Sequence, residues 1–512
     1  MDRTLPLFGV SVSMSTTCRT ILLARLGVVI VFGLSACASD DDGSANEVGE
    51  SADGGQLADS GVASDASNDR DTAPDADVLV DVNGPSDAVA DGAADDTHTG
   101  VDTEDPDAAD DSDSGVDMGN ADISVEDVDD VDPVGDGLPF GPSPPLAEVL
   151  EYLEGDPEGA VRRIANTRGW PMPISSGTLF VNLDVSLPYI VGDFGGWEPT
   201  PMTGADGFLW ISLADVSPGQ RYKFTDRERY VADPWSRTLD WDEFGDMSRT
   251  APETAHIERY FGLTDDVVTP RNLYVWVPAE PVTHVLYAHD GQNLFGPGSM
   301  FGSWRMEEVA PPGVLIVGVF NTADRFDDYT PVTDQVGRTE VGGGADDYLR
   351  FLATTVRPLV RTIYGESGPV GILGSSLGGV VSLYAVVAQP GEWDFAASLS
   401  GALSWGSRAA SNETLHARAE ELAASGAVIY LDSGGGAEGC VDSDADGVLD
   451  DDPTEADDYC VTIQLRDQLV DAGLVFSDTL WHWWEPGAPH NEAAWAARVE
   501  RPLAVFADMA SP

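Results

Sequence analysis

Hydrophobic and polar positions alternate with two different periods after residue 170. Between residues 178 and 224, short apolar runs are split by Gly, Pro and Asp turns at a spacing of about ten residues, which is typical of a β-sandwich. From residue 260 onward, strand-like apolar runs alternate with segments at helical spacing, of which 346–364 is the clearest. Strands that alternate with helices predict an α/β sheet with helices on both faces. The predicted strands of that sheet lie at 273–277, 282–288, 314–320, 370–373 and 428–431.

Charge separates the first part of the chain from the rest. The 512 residues include 89 acidic and 26 basic side chains, and the net charge of −63 argues against nucleic acid as a partner, because phosphate recognition needs a basic face. Residues 38–137 carry 32 acidic residues, one basic residue (Arg70) and no aromatic residue. Such a segment buries too little apolar surface to offset the entropy of ordering it. We therefore expect a disordered acidic tether at 38–137.

The N-terminus predicts export. Arg19 and Arg25 precede an apolar run at 26–34, which is shorter than the ~20 residues of a membrane-spanning helix and has the length of a signal-peptide core. The sequence Leu-Ser-Ala-Cys that ends at Cys37 resembles a bacterial lipobox. It predicts a signal peptide at 1–37 and an exported lipoprotein, anchored to a membrane through Cys37 and facing the periplasm or the cell surface. The alternative is an ordinary signal peptide in which this cysteine occurs by chance.

Two further cysteines, Cys440 and Cys460, bound an acidic insertion. In an oxidising compartment this pair is expected to form a disulfide. The acidic residues and the glycine between them follow the spacing of a calcium loop, and they resemble a thrombospondin type 3 repeat more than an EF-hand. These residues are Asp442, Asp444, Asp446, Gly447 and Asp450. We expect a structural Ca²⁺ here and no cofactor for catalysis; the alternative is an unliganded acidic loop.

The strand-rich segment resembles the Ig-like starch-binding-type modules that precede catalytic domains in glycogen-branching enzymes and in some esterases. The matching pieces are 192–197, 201–202, 206–210, 218–224 and 232–234. The resemblance implies a small all-β sandwich. Trp197 or Trp235 could stack on a sugar ring, whereas Phe194, Trp197 and Trp210 suit the core of a small sandwich, which is the interpretation we favour.

The candidate nucleophile lies between a predicted strand and a predicted helix. After the strand at 369–373, the chain continues with Gly374, Ser376 and Gly378 in a G-x-S-x-G arrangement, and an apolar helix follows. In a chain with 55 glycines the motif alone is weak, but the strand–turn–helix context is what a nucleophile elbow requires. Ser376 would lie at a helix N-terminus, where the N–H of Leu377 can bind an oxyanion. The alternative is a Gly-rich loop with a helix-capping serine.

A serine nucleophile needs a base, and His490 fits that role best among the seven histidines. It lies on a loop after a predicted strand and before the last helix, and α/β-hydrolases have the chain order Ser, acid, His. His289 is the second choice because it also ends a predicted strand.

The acid is expected between these two residues, after the predicted strand that ends at Leu431. Glu438 has the offset of a short loop and is preferred. Asp432 would lie deep in the strand, and Asp457 and Asp458 remain open.

Residues 270–510 resemble the esterase D / enterochelin esterase family of α/β-hydrolases. The matching pieces are 287–295, 317–325, 328–331, 344–352, 374–379 and 487–495. The resemblance implies Ser376 as nucleophile, His490 as base, and the backbone N–H groups of Gln292 and Leu377 as the oxyanion hole. A sandwich followed by this hydrolase also resembles the layout of enterochelin esterases and of some xylan and feruloyl esterases. The chain departs from the family at 434–438, where a longer loop and the cysteine-bounded insertion replace a simpler turn.

These features together predict an exported serine carboxylic-ester hydrolase that acts through an acyl-enzyme on a small-molecule or polysaccharide ester, such as a carbohydrate ester or a siderophore-like ester. An acyltransferase would share every residue above, and a non-catalytic carbohydrate-binding lipoprotein is a further alternative. A ferric siderophore would favour basic residues, which this acidic chain offers mainly at Arg325 and its neighbours. The predicted organisation is a signal peptide at 1–37, a tether at 38–137, a helical connector at 138–170, an Ig-like sandwich at 171–258 and an α/β-hydrolase at 259–512.

Overall fold

The computed structural model describes residues 137–510, apart from 297–300, 410–411, 438 and 452–456. The signal peptide with Cys37, the tether up to residue 136, and Glu438 therefore lie outside the described residues. Within the described ranges, no helix is both long enough and apolar enough to cross a membrane.

Two helices open the described part of the chain, in the predicted connector. They are α1 (Leu146–Leu153) and α2 (Pro157–Thr167). The second begins where the Asp156 carboxylate accepts a hydrogen bond from the Gly159 N–H at 3.1 Å and where a proline sets the first helical φ. The apolar faces of both helices pack in one hydrophobic cluster with the first β-sheet.

Ten short strands follow, and they form two sheets that pack face to face. They are β1 (Met172–Ile174), β2 (Gly177–Asn182), β3 (Tyr189–Gly192), β4 (Thr200–Pro201), β5 (Thr203–Ala205), β6 (Phe208–Leu213), β7 (Arg221–Thr225), β8 (Tyr230–Val231), β9 (Thr238–Asp242) and β10 (Gly245–Arg249). One sheet has the order β1-β2-β6-β5, and the strands β9-β10-β7-β3-β4 follow each other in the second, with β8 on β7. Phe180, Tyr222 and Phe224 fill the space between the two sheets.

The strand β11 (His256–Leu263) joins this β-rich part to the rest. It pairs antiparallel with β9 on one side and with β12 (Arg271–Val277) on the other, so one sheet continues from the N-terminal strands into the C-terminal ones. The predicted boundary between residues 258 and 259 falls inside β11. Glu258 in this strand accepts hydrogen bonds from Arg237 at 3.2 Å and from Tyr364 at 2.6 Å, so polar side chains also link the two parts.

The C-terminal part is an α/β-hydrolase built on a mainly parallel sheet. Its further strands are β13 (His284–His289), β14 (Val314–Val319), β17 (Val370–Ser376), β18 (Phe395–Gly401), β19 (Val428–Ser433) and β20 (Leu480–Trp484), while β15 (Thr333–Val336) and β16 (Thr339–Gly342) form a separate hairpin. The order is β20-β19-β18-β17-β13-β14-β12-β11, and the neighbours from β20 to β14 are all parallel. The five strands predicted from the apolar runs are β12, β13, β14, β17 and β19.

Helices cover both faces of this sheet, as the alternating pattern predicts. They are α3 (Met306–Val309), α4 (Arg325–Asp328), α5 (Ala345–Phe351), α6 (Arg357–Tyr364), α7 (Leu377–Ala388), α8 (Ala419–Ala424), α9 (Tyr459–Asp471), α10 (Glu492–Ala496) and α11 (Glu500–Ala507). Successive strand residues point to opposite faces, so Tyr287 packs with α5 to α9, and Leu286 and Ala288 pack with α3, α10 and α11. The predicted helix at 346–364 is α5 and α6, joined by a π-helical stretch at Leu352–Val356.

Candidate active site

Ser376 occupies a sharp turn between β17 and α7. Its backbone has φ +55° and ψ −125°, a region that residues other than glycine rarely adopt and that costs conformational free energy. The glycines around it permit the turn. A Cβ on Gly374 would lie 2.6 Å from the carbonyl carbon of Gly378, and a Cβ on Gly379 would lie 2.3 Å from the Ser398 Oγ. Strand and helix therefore approach each other more closely than side chains would allow, as a nucleophile elbow requires.

The backbone groups predicted for an oxyanion hole lie at the same corner of the fold. Leu377 is the first residue of α7, so the helix itself supplies no acceptor for its N–H. Gln292 lies in the 3₁₀ turn Gly291–Asn293, directly after β13. That corner approaches the start of α7, because a Cβ on Gly378 would lie 3.6 Å from the Asp290 Oδ2.

His490 lies on the loop between β20 and α10, with about a third of its side chain exposed (34 %). Its Nδ1 is 2.7 Å from Oδ1 of Asp457, whose side chain is fully buried. A carboxylate on Nδ1 leaves Nε2 as the proton-accepting nitrogen. The imidazole also packs edge-on against Trp495 at 4.9 Å between ring centroids, and the adjacent Asn491 caps α10 through the Ala494 N–H at 3.0 Å. Contacts on both sides thus hold the ring.

The second carboxylate oxygen of Asp457 is held as firmly as the first. Its Oδ2 accepts hydrogen bonds from the Gly434 N–H at 2.6 Å and from the Ser400 Oγ at 2.9 Å. Arg498, 1 % exposed, donates to the same Ser400 Oγ at 2.7 Å and has Nη2 3.7 Å from the Asp457 oxygen. The end of β18, the loop after β19 and the turn before α11 therefore jointly orient one carboxylate.

Three other residues were predicted as candidates for the acid. Glu438 lies outside the described residues. Asp432 is buried in β19, where its partners in the described part of the chain are Arg498, at 3.2 Å, and Tyr430 rather than His490. Burial raises the pKa of Asp432 to about 6, against the opposing charge of Arg498. Asp458 lies beside Asp457, and its Oδ2 is 3.3 Å from the Nδ1 of His490.

The carboxylates decide the protonation of His490. Burial acts to lower the pKa of this imidazole, but the hydrogen bond to Asp457 and the charges of Asp458 and Asp457 outweigh it and raise the pKa above its ordinary value. Arg325 opposes that rise. A general base accepts a proton only when it is neutral. If His490 is the base, its raised pKa predicts that activity begins to fall, as the pH is lowered, at a pH above 6.5, the ordinary pKa of histidine.

Ser376 and His490 lie at the same edge of the sheet, although no hydrogen bond joins them within the described part of the chain. Ser376 is opposite Gly401 in the β17–β18 register, and its carbonyl accepts the Ala402 N–H at 3.1 Å. Ser400, which precedes Gly401 in β18, donates a hydrogen bond to Asp457, the carboxylate that contacts His490. Hydrogen bonds between a nucleophile and its base are often long without substrate and shorten in the substrate complex.

The second-choice base, His289, is enclosed in an aromatic cage. It is 2 % exposed, its Nδ1 lies 2.9 Å from the Tyr348 hydroxyl, and Tyr329 packs on its ring at 5.1 Å between centroids. Burial lowers the pKa of His289 to about 3, so the ring is neutral. We interpret it as a packing residue beneath the turn that follows β13.

Arg325, the cation predicted near the site, is committed to a neighbouring carboxylate. It donates two hydrogen bonds to Asp290, at 2.9 and 2.8 Å. Burial acts to raise the pKa of Asp290, but the Arg325 charge outweighs it and holds that pKa below its ordinary value. The pair is therefore ionised and largely self-neutralising, which leaves little positive charge for an anionic ligand.

The cysteine-bounded insertion contains the predicted disulfide and an acidic cluster. Cys440 and Cys460 are bonded, with their Cα atoms 5.3 Å apart. Three predicted calcium ligands have carboxylate oxygens within 4.8 Å of one another. These are Asp442, Asp444 and Asp446. The fourth, Asp450, accepts hydrogen bonds from the N–H and Oγ of Ser443 instead.

The aromatic residues weighed as sugar contacts have partners within the protein. Trp235 packs against Phe261 at 5.2 Å between centroids, and Trp210 is part of the cluster between the first sheet and the connector. Trp197 is half-buried, and its indole N–H donates to the Asp193 carboxylate at 3.0 Å.

Two residues of the acid site were not anticipated from the sequence. Arg498 has at most a weak signal, because Glu500 and Arg501 are charged residues in the same segment, 495–506. Ser400 has none, because one serine at the end of an apolar strand is unremarkable in sequence. Both act through contacts between segments far apart in the chain.

Parts of the chain are similar to known proteins. Residues 267–502 match the family described as Putative esterase. A curated relative, the uncharacterized protein YbbA of Bacillus subtilis (strain 168), is 28% identical over 139 residues, which are 26% of this chain and 53% of the relative. The chain thus spans about half the length of that relative.

The chain is also similar to solved structures, with low sequence identity and low TM-scores. The enterobactin esterase FES from Shigella flexneri is 16% identical with a TM-score of 0.36, covering 64% of this chain and 93% of that one. An IroE-like serine hydrolase from Shewanella oneidensis is 18% identical with a TM-score of 0.38, covering 50% and 82%. The siderophore hydrolase EstA from Aspergillus nidulans is 18% identical with a TM-score of 0.36, covering 49% and 94%. The match to the Putative esterase family model over residues 267–502 thus lies in the C-terminal part of this chain.

Proposed function

We propose that the protein is a serine carboxylic-ester hydrolase with Ser376 as nucleophile, His490 as general base and Asp457 as the acid that orients the base. The observation that carries this proposal is the buried Asp457 carboxylate on the Nδ1 of His490, at the sheet edge where Ser376 occupies its strained turn. A hydrogen-bonded acid fixes the imidazole tautomer that a serine nucleophile needs.

The reaction proceeds in two halves. Ser376 Oγ attacks the ester carbonyl carbon while Nε2 of His490 takes the hydroxyl proton, and the oxyanion is stabilised by the N–H groups of Leu377 and Gln292. The bond to the alcohol then breaks, and the alcohol oxygen receives the proton from Nε2. Water attacks the acyl-enzyme with His490 again as base, which releases the acid and restores Ser376.

The substrate we propose is a neutral or weakly charged ester, such as a carbohydrate ester, in preference to a ferric siderophore. The reason is electrostatic. Arg325 is paired with Asp290, and the chain carries a net charge of −63. An anionic substrate would meet a negative field, which slows association.

The test is hydrolysis of p-nitrophenyl acetate and butyrate by the full chain and by Ser376→Ala. We expect kcat/KM to fall by about 10³-fold or more in the variant, because the covalent path is lost. Ser375→Ala, one residue earlier in the same strand, is the matched control and keeps activity within about tenfold, since its hydroxyl takes no part in the reaction. Equal activity in wild type and Ser376→Ala would remove the proposal.

We also propose that the insertion binds Ca²⁺ as a structural ion, held by Asp442, Asp444 and Asp446. Alternating carboxylates around a glycine turn supply the hard oxygen ligands that this ion prefers. Bound Ca²⁺ would order the loop that carries Asp457. EDTA is expected to lower both the melting temperature and kcat, and restored Ca²⁺ to recover them; no change in either would exclude the site.

Export and anchoring through Cys37 remain proposals that rest on the N-terminal sequence. Metabolic labelling with a radioactive fatty acid is expected to label the wild type and not Cys37→Ala. Equal labelling of both would contradict lipidation at this residue.

A further inference from the structure

Two consecutive carboxylates face one nitrogen of His490. Oδ1 of Asp457 lies 2.7 Å from Nδ1 and Oδ2 of Asp458 lies 3.3 Å from it. The two approach differently, because the Asp457 side chain is fully buried and that of Asp458 is 23 % exposed. Asp458 has a left-handed backbone, with φ +58° and ψ 28°, a conformation that Asp and Asn tolerate better than most residues. This turn lets adjacent side chains reach the same atom.

The Asp458 carboxylate has no competing structural task in the described part of the chain. It stands at the N-cap position of α9, yet its side chain accepts no capping hydrogen bond there. Its charged partner in the described ranges is His490. The oxygens of Asp457, in contrast, are occupied by Gly434, Ser400 and the imidazole.

We propose that Asp458 is a second positioning carboxylate for His490, which accepts a hydrogen bond from the Nδ1–H group when Asp457 cannot and shares in stabilising the imidazolium. This inference rests on the proposed function, because it assigns a role relative to the general base. It predicts that the acid site is redundant, unlike the single carboxylate of a simple Ser-His-Asp arrangement.

The role of Asp458 should depend on pH. Burial raises the pKa of Asp458 to about 7, His490 opposes this rise, and Asp451 and Asp457 add to it. The charged groups that act on the imidazole are Asp457 and Asp458 from the insertion and Arg325 from α4, and Glu492 of α10 interacts with it as well. As the pH rises through 7, Asp458 ionises and becomes a better hydrogen-bond acceptor for the Nδ1–H group.

The experiment compares Asp457→Asn, Asp458→Asn and the double variant in the full chain, by kcat/KM for p-nitrophenyl butyrate between pH 6 and 9. Asn at 457 keeps an acceptor for Ser400 and Gly434, and Asn at 458 tolerates the left-handed backbone. Asp471→Asn, on the exposed C-terminal end of α9, is the matched control for loss of one negative charge. Melting temperatures verify that each variant is folded.

We expect Asp457→Asn to lose about 10²-fold and the double variant about 10⁴-fold, the loss typical of an imidazole without its carboxylate. The ratio between these two variants should widen as the pH rises through 7. Asp458→Asn alone should lower the pH at which the acid limb begins, because it removes a charge that raises the pKa of His490.

Equal losses in Asp457→Asn and the double variant at every pH would overturn the role of Asp458 while leaving the esterase proposal intact. Failure of the proposed function itself has a different signature, since Ser376→Ala would then be as active as the wild type.

Discussion

The nucleophile side and the acid side of the candidate site are built in different ways. The elbow is local, because six consecutive residues, 374–379, place Ser376 through steric limits on a strand–helix turn. The acid side is assembled from distant segments, and two of its members, Ser400 and Arg498, are 98 residues apart in the chain. A site formed by consecutive residues produces a fixed spacing in the sequence. A site formed by residues from distant segments produces no recognisable spacing.

The largest effect on the acid side is expected from Arg498→Met. This guanidinium is buried between two carboxylates, Asp432 and Asp457, and its removal leaves uncompensated charge. We expect a loss of about 3–5 kcal/mol in the free energy of unfolding and a fall in kcat. Urea denaturation measures the first quantity. The double variant Arg498→Met/Asp432→Asn should recover part of the stability, and an unchanged midpoint in the single variant would show that the pair is not structurally important.

A smaller effect is expected from Cys440→Ser/Cys460→Ser, which opens the insertion that carries Asp457. Closing a loop of this size typically contributes about 2–4 kcal/mol. Because Cys460 is three residues after Asp457, kcat should fall. KM should stay close to that of the wild type, because the substitutions leave the turn around Ser376 unaffected. Unchanged stability and unchanged kcat would mean that contacts with Ser400 and Gly434 alone hold the acid.

A substitution in the elbow, residues 374–379, should lower the free energy of unfolding less than the substitutions on the acid side. Gly379→Ala tests this expectation. The added methyl would lie 2.3 Å from the Ser398 Oγ and 3.1 Å from the Gly401 Cα, which predicts a cost of about 1–3 kcal/mol. Adding Ser398→Ala removes the nearest clash and should restore part of the loss. A Gly379→Ala variant as stable as the wild type would show that the turn can relax, contrary to the steric account of the motif.

The fold was largely predictable because its signals are periodic. Apolar runs gave the central strands β12, β13, β14, β17 and β19, and the helical spacing at 346–364 gave α5 and α6. The continuity of the sheet through β11 was not predictable. The strand His256–Leu263 has neighbours on both sides, and a sequence shows the strand but not its two partners.

Those parts of the candidate site that are formed by residues close together in the sequence were the more predictable ones. Ser376 lies in the predicted turn, and His490 is held by a carboxylate as a base would be. For the acid, the sequence favoured Glu438 because it has a short-loop offset, and this residue lies outside the described residues. The carboxylate on the Nδ1 of His490 is that of Asp457, from the insertion between Cys440 and Cys460. Because the insertion is closed by a disulfide, the distance of a residue along the chain does not predict how close it lies to His490.

The most direct test of this account compares Glu438→Gln with Asp457→Asn in the full chain, by kcat/KM for p-nitrophenyl butyrate at pH 8. We expect Glu438→Gln to stay within about twofold of the wild type and Asp457→Asn to lose about 10²-fold, because the carboxylate on the Nδ1 of His490 is that of Asp457. A large loss in Glu438→Gln together with near wild-type activity in Asp457→Asn would contradict it.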